Sequence, residues 1–116
     1  MAPMRSLLFV PGNREDMLEK ALALSPDVLV PDLEDSVPKD HAEKARARQI
    51  VSSMLPRLAE ASPLVIPRVN SVDSGLMEDD LAAIVGPHID GVSVGKIRNA
   101  QEAEAVATRV ARALEK

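Results

Sequence analysis

An α/β fold built on a parallel sheet is what this sequence predicts, and three observations predict it. Four short apolar runs alternate with four stretches whose apolar residues recur at helical spacing. That alternation is the pattern of βαβ units joined by right-handed crossovers. The runs end at Pro11, Pro31, Pro67 and Gly95, and proline, having no N–H, sits where ladder pairing stops. Each end then hands over polar or charged side chains, and in parallel α/β folds such ends face one way. Asn13, Asp32, Glu34, Asp35, Arg68, Asn70 and Lys96 are therefore expected on one rim.

The first run is Leu7 to Val10, closed by Pro11 and Gly12. Asn13 is expected to cap the following helix, whose apolar face is Met17, Leu18, Ala21 and Leu22, with Glu15 and Asp16 favouring the positive end of the dipole. The second strand, Val28 to Val30, ends in Pro31 and three carboxylates within four residues, Asp32, Glu34 and Asp35. Asp40 with Glu43 three residues later resembles a capping box. The helix it opens carries Ile50, Met54 and Leu58 at steps of four, flanked by Val51 and Leu55. Pro56 falls inside that stripe and is expected to kink or end the helix. The third run, Leu64 to Ile66, closes on Pro67 and delivers Arg68, Val69 and Asn70. A short helix near Glu78 to Val85 follows, with Leu81, Ile84 and Val85 apolar. The fourth strand is Gly91 to Val94, after which Gly95 delivers Lys96. Asn99 with Glu102 is a second capping-box-like start, and Ala103, Val106, Val110 and Leu114 are the face the last helix is expected to bury.

Composition narrows the function classes. With 116 residues there is room for one domain and one core. A net charge of −4 and a single aromatic, Phe9, argue against nucleic acid, which asks for basic patches and stacking surfaces. No apolar run approaches the roughly 20 residues of a membrane helix. The apolar run after Arg5 is too short for a signal peptide, and cysteine is absent, so a cytoplasmic location is expected. There is no P-loop, dinucleotide-binding glycine fingerprint or zinc pattern. His41 and His88 lack metal-ligand spacing and read as surface residues.

Three carboxylates at one strand tip repel one another unless cations, donors or a metal share the site; a solvated acidic turn is the alternative. Asp32, Glu34 and Asp35 have the chemistry to bind Mg²⁺ directly or to order its waters. Arg68 offers a planar fork for a substrate carboxylate, or else braces the rim by pairing with Glu34 or Asp35. Lys96 either neutralises those acids or contacts a phosphate. Asn13 with Arg14 reads as helix capping first and anion contact second.

The segments RSLLFVPGN (5–13), DLEDSV (32–37), KAR (44–46), RVNS (68–71) and GVSVGK (91–96) carry a resemblance that covers essentially the whole chain. They resemble the N-terminal segments of the HpcH/HpaI aldolase and citrate lyase β-subunit family, most closely its citrate lyase β-like and malyl-CoA lyase branch. The resemblance implies a TIM (β/α)₈ barrel, of which this chain holds the first half, about four β/α units; a whole barrel takes about 250 residues. It implies a Mg²⁺-dependent carbon–carbon lyase acting on a 3-hydroxyacyl-CoA such as citryl-CoA or malyl-CoA, giving an acetyl-CoA-type thioester and an α-keto acid. Arg68 then matches the arginine that binds the keto acid and helps stabilise the enolate. Glu34 and Asp35, with Asp32, match outer groups of the metal site, and Phe9, Asn13 and Lys96 lie on the substrate side. The direct Mg²⁺ ligands come from later strands, so none is expected in this chain. Gly95 departs from the proline usual before the lysine of the fourth strand. Alone, the chain is expected to be inactive and to pair with itself or with a complementary half-barrel. Two other classes stay open: a non-catalytic half-barrel serving assembly or regulation, and a phospho-acceptor receiver domain. The receiver wants acids after the first strand and an aspartate after the third, where this chain has Asn13 and Arg68.

Overall fold

The computed structural model describes residues 5–95 and 97–115. In chain order its elements are β1 (Leu7–Pro11), α1 (Glu15–Leu24), β2 (Val28–Asp32), α2 (His41–Ala61), β3 (Leu64–Val65) and β4 (Arg68–Val69). A 3₁₀ turn (Val72–Ser74), α3 (Met77–Ile84), β5 (Ser93–Val94) and α4 (Ala100–Leu114) complete it. Every strand pair is parallel, and the sheet order follows the chain order: β1, β2, then β3 and β4, then β5. Each crossover therefore steps the same way, as in a barrel wall and unlike a doubly wound sheet, where the order reverses. Among the described residues no helix is long and apolar enough to cross a membrane.

β2 lies at the centre and is buried along its whole length. On one face, Val10, Leu29, Leu33, Val65 and Val69 meet the helices through Leu18 and Ala21 of α1, through the expected α2 stripe, and through Met77, Leu81 and Ile84 of α3. Val28 and Val30 are buried outside that cluster, and their register partners Leu7 and Phe9 are 58% and 46% exposed. Side chains alternate along a strand, so these four define a second, more open face.

Several expectations need correction. β2 does not stop at Pro31 but runs on to Asp32, so the first carboxylate belongs to the strand itself. Leu29 O accepts from Ile66 N at 2.9 Å; Pro31, two residues on, turns to the same neighbour. There the third run is broken between β3 and β4 at Ile66 and Pro67, so no donor is missed.

Asn13 does not cap α1. The cap position is Arg14, without a side-chain bond, because the Pro11 to Arg14 turn, closed by Arg14 N to Pro11 O at 3.1 Å, places Asn13 one residue early. Asn13 Nδ2 instead donates to Glu43 Oε2 of α2 at 3.1 Å. Met17, expected on the buried face, is exposed.

α2 passes through Pro56 and ends at Ala61. Leu55 and Leu58 on either side are buried, and holding both against the core offsets the backbone bond that proline forgoes. Asp40 does cap this helix, accepting from Ala42 N at 3.0 Å, but Glu43 has turned to Asn13. Of the face expected to be buried on α4, only Val106 is buried; Val110 is half-buried, and Ala103 and Leu114 are exposed. Asn99 caps that helix, accepting from Glu102 N at 2.9 Å.

Candidate functional site

Asp32 and Arg68 are register partners at the tips of β2 and β4, which puts their side chains on the same face and within reach. Arg68 Nε donates to Asp32 Oδ1 at 2.8 Å and Nη2 to Oδ2 at 2.6 Å, the parallel two-bond geometry that suits a guanidinium to a carboxylate. Asp32 also closes a local turn on itself. Oδ1 accepts from Glu34 N at 2.8 Å, and Oδ2 accepts from Ser36 N at 3.0 Å and from Ser36 Oγ. Asp32 is fully buried. Burial alone raises its carboxyl, but the bonds from Arg68, from Ser36 and from the two backbone N–H groups outweigh that and hold it at about 2, below its ordinary 3.8. With roughly four lone-pair sites on a carboxylate, these donors leave Asp32 no capacity for a metal or its waters.

Arg68 is raised above its ordinary value, chiefly by the Asp32 hydrogen bond and further by the charges of Asp32, Glu34 and Asp35. Its guanidinium lies over the Phe9 ring, 4.9 Å from the centroid, a cation–π contact. Glu34 Oε1 is 3.7 Å from Nε. Glu34, one of the two bracing partners expected from sequence, does pair with Arg68 at that distance, but the two-bond partner is Asp32, because register, not proximity along the chain, selects it. Nε and Nη2 are occupied, while Nη1 has no hydrogen bond among the described residues. The side chain keeps 23% of its surface exposed.

Behind the tip lies a layer of polar groups of which reasoning from sequence placed only Asn70, and that on the rim; the roles of Lys44, Arg48 and Asp80 were missed. Lys44 Nζ donates to Leu33 O at 3.0 Å and to Glu34 O at 2.7 Å. Burial pushes this ammonium below the usual lysine value, against the opposing pull of Asp80, Asp32, Glu34 and Asp35. Asn70 Nδ2 donates to the same Leu33 O at 2.9 Å and to Asp80 Oδ2 at 2.7 Å. Asp80 also accepts from Asn70 N and from Arg48 Nε, both at 2.8 Å. The available signal was Asp80 itself: three residues after Met77 and four before Ile84, it interrupts the buried stripe of α3.

Of the residues expected on the rim, Asp32, Glu34 and Arg68 come together. Glu34 and Asp35, with Lys44, Asn70 and Asp73, line a cleft of about 440 Å³ between the β2–α2 and β4–α3 loops. The tip of β5 reaches the same place, since a Cβ at Gly95 would stand 3.6 Å from Glu34 Oε1. Asn70 sits beneath the rim, and Asn13 lies with Glu43; the Asn13 Oδ1 is buried and has no hydrogen-bond partner among the described residues. Lys96 lies outside the described residues. His41 and His88 are exposed, as read from sequence. Among the described residues no three acids or histidines come close enough to hold a metal ion.

The sequence profile of the HpcH/HpaI aldolase/citrate lyase family matches residues 5–115. A citrate lyase subunit beta-like protein of Deinococcus radiodurans is 42% identical over 108 residues, covering 91% of this chain and 38% of the relative. A (3S)-malyl-CoA thioesterase of Cereibacter sphaeroides is 38% identical over 105 residues, covering 90% and 36%. The mitochondrial citramalyl-CoA lyase of Homo sapiens is 39% identical over 83 residues, covering 72% and 24%. The chain thus spans little more than a third of the length of the first two relatives. A parallel sheet in barrel order, a part-buried arginine–carboxylate pair at its strand tips and a profile match along nearly all of the chain agree: the chain belongs to the HpcH/HpaI aldolase/citrate lyase family.

Proposed function

We propose that these units form one side of a (β/α)₈ barrel that makes or breaks a carbon–carbon bond in a 3-hydroxyacyl-CoA thioester of the citryl-CoA or malyl-CoA kind. The observation that carries this reading is the Arg68–Asp32 pair at the strand tips. Asp32 fixes the plane of the guanidinium through Nε and Nη2, Phe9 backs its face, and Nη1 is left for an anionic oxygen. In the cleavage direction a general base takes the hydroxyl proton, the carbon–carbon bond breaks, and its electrons pass into the thioester enolate while the alkoxide becomes the keto group; return of the proton to the enolate carbon then gives the acetyl-type thioester. A fixed cation near the keto-acid carboxylate costs no reorganisation during that charge movement. Mg²⁺ would supply Lewis-acid polarisation of the keto oxygen. The described acids do not form its ligand set, and Glu34 and Asp35 are assigned only to ordering its waters. The partner is a complementary half-barrel or a second copy of the chain.

The thioesterase relative supports a second reading, hydrolysis of the thioester. The test mixes the chain with the part of the Deinococcus relative that follows its matched segment, adds Mg²⁺ and malyl-CoA or citryl-CoA, and follows keto acid and free thiol. Keto acid appearing in the mixture and lost with Arg68→Ala is the expected result. Free thiol without keto acid favours hydrolysis. An assembled but inert mixture overturns both in favour of a non-catalytic partner.

A further inference from the structure

Burying an ammonium and a carboxylate beneath a loop is costly, and apolar residues of similar volume would pack α2 against the sheet as well or better. Lys44 and Asp80 are nevertheless 5% and 0% exposed, so packing does not account for them. What they share is the turn after β2. Leu33 O receives two donors from different elements, Lys44 Nζ of α2 and Asn70 Nδ2 beyond β4, and Glu34 O receives Lys44 as well. Asp80, anchored by Arg48, holds Asn70 in place from the far side.

We propose that Lys44 is a positioning residue: by bridging the Leu33 and Glu34 carbonyls, with Asn70 as second donor, it fixes the turn that sets Glu34 beside Arg68. Its catalytic consequence rests on the lyase reading above; the geometric claim does not. Preorganisation of this kind places charge before the reaction begins.

The test is hydrogen exchange on the 116-residue chain. The amides of Glu34 and Ser36, both donated to Asp32, report the turn, and those of α2 report the fold. In Lys44→Met these two are expected to exchange at least tenfold faster, with helical circular dichroism and α2 amides unchanged. Lys44→Arg recovers part of the protection. Unchanged exchange at Glu34 and Ser36 in a folded Lys44→Met chain overturns the proposal. If that variant does not fold, Lys44→Gln decides by the same readout, because its amide is too short to bridge both carbonyls. In the complemented lyase, Lys44→Met lowers kcat with little change in KM. If the complemented wild-type chain yields no keto acid while Lys44→Met loosens the turn, the lyase reading falls and the positioning claim stands. If the turn is unmoved, the positioning claim falls whatever the assay gives.

Discussion

Asp32 acts by being fully occupied. Its carboxyl is held at about 2 instead of 3.8, and a folded-state value below the unfolded one contributes stability that is complete above the unfolded value. Here that contribution is about 2 kcal/mol. It is present above about pH 4 and lost as the pH falls towards about 2. Asp32→Asn strips the Arg68 cation of its partner and is expected to cost about 3 kcal/mol at neutral pH, the lower end for a broken buried pair because Arg68 keeps some exposure. Urea midpoints recorded against pH check both effects: the gap between wild type and variant narrows between about pH 4 and 2. A gap that stays constant over that window would show that the carboxyl titrates normally. Arg68→Lys keeps a charge but not the fork, so it cannot span both Asp32 oxygens. It is expected to fold with lowered stability and to lose cleavage in the complemented enzyme.

Among the elements, α2 carries the least expected feature. Pro56 is exposed in the middle of a 21-residue helix, where it removes the bond to the Ser52 carbonyl and crowds it. Pro56→Ala restores that bond and is expected to stabilise by about 1–2 kcal/mol, after allowing for the greater freedom of the unfolded chain. A raised denaturation midpoint checks it. The turn after β1 behaves in the opposite sense. Gly12 N donates to Asp32 O at 2.7 Å, and a Cβ at Gly12 would stand 2.7 Å from that oxygen and 2.9 Å from Val51 Cγ2. Backbone cannot yield as a flexible side chain can, so Gly12→Ala is expected to cost about 1–3 kcal/mol, read from thermal unfolding. The alternation of strands and helices was legible in sequence because two periods, 2 and 3.6, differ plainly. The course of β2 through Pro31 was not, since it depends on which neighbour faces the missing donor. In the site, an acidic cluster at a strand tip was legible, but three carboxylates look alike until register pairs one of them with Arg68. The swap of Glu43 from Asp40 to Asn13, 30 residues away, is a tertiary contact that local capping rules do not contain.

At the scale of the molecule, cover is one-sided. Helices bury one face of the sheet, while Leu7 and Phe9 stay exposed on the other, and no strand among the described residues pairs with the outer edge of β1 or of β5. At the base, Val85, Ile89, Val92, Val110 and Leu114 line an apolar cleft of about 170 Å³, and Leu114 is among the most exposed apolar residues. Closed barrels have no such edges, and an exposed edge beside apolar surface recruits another chain. The isolated chain is therefore expected to sediment above monomer mass at micromolar concentration. If the cleft around Leu114 contributes, Leu114→Glu weakens association at least tenfold, about 1.4 kcal/mol. Leu24→Lys removes an equally exposed leucine at the end of α1, away from the cleft, and leaves association unchanged. Equal weakening by both variants would mean general stickiness in place of a defined surface. A wild-type chain that stays monomeric throughout would mean that the open face and edges are tolerated by water as they stand.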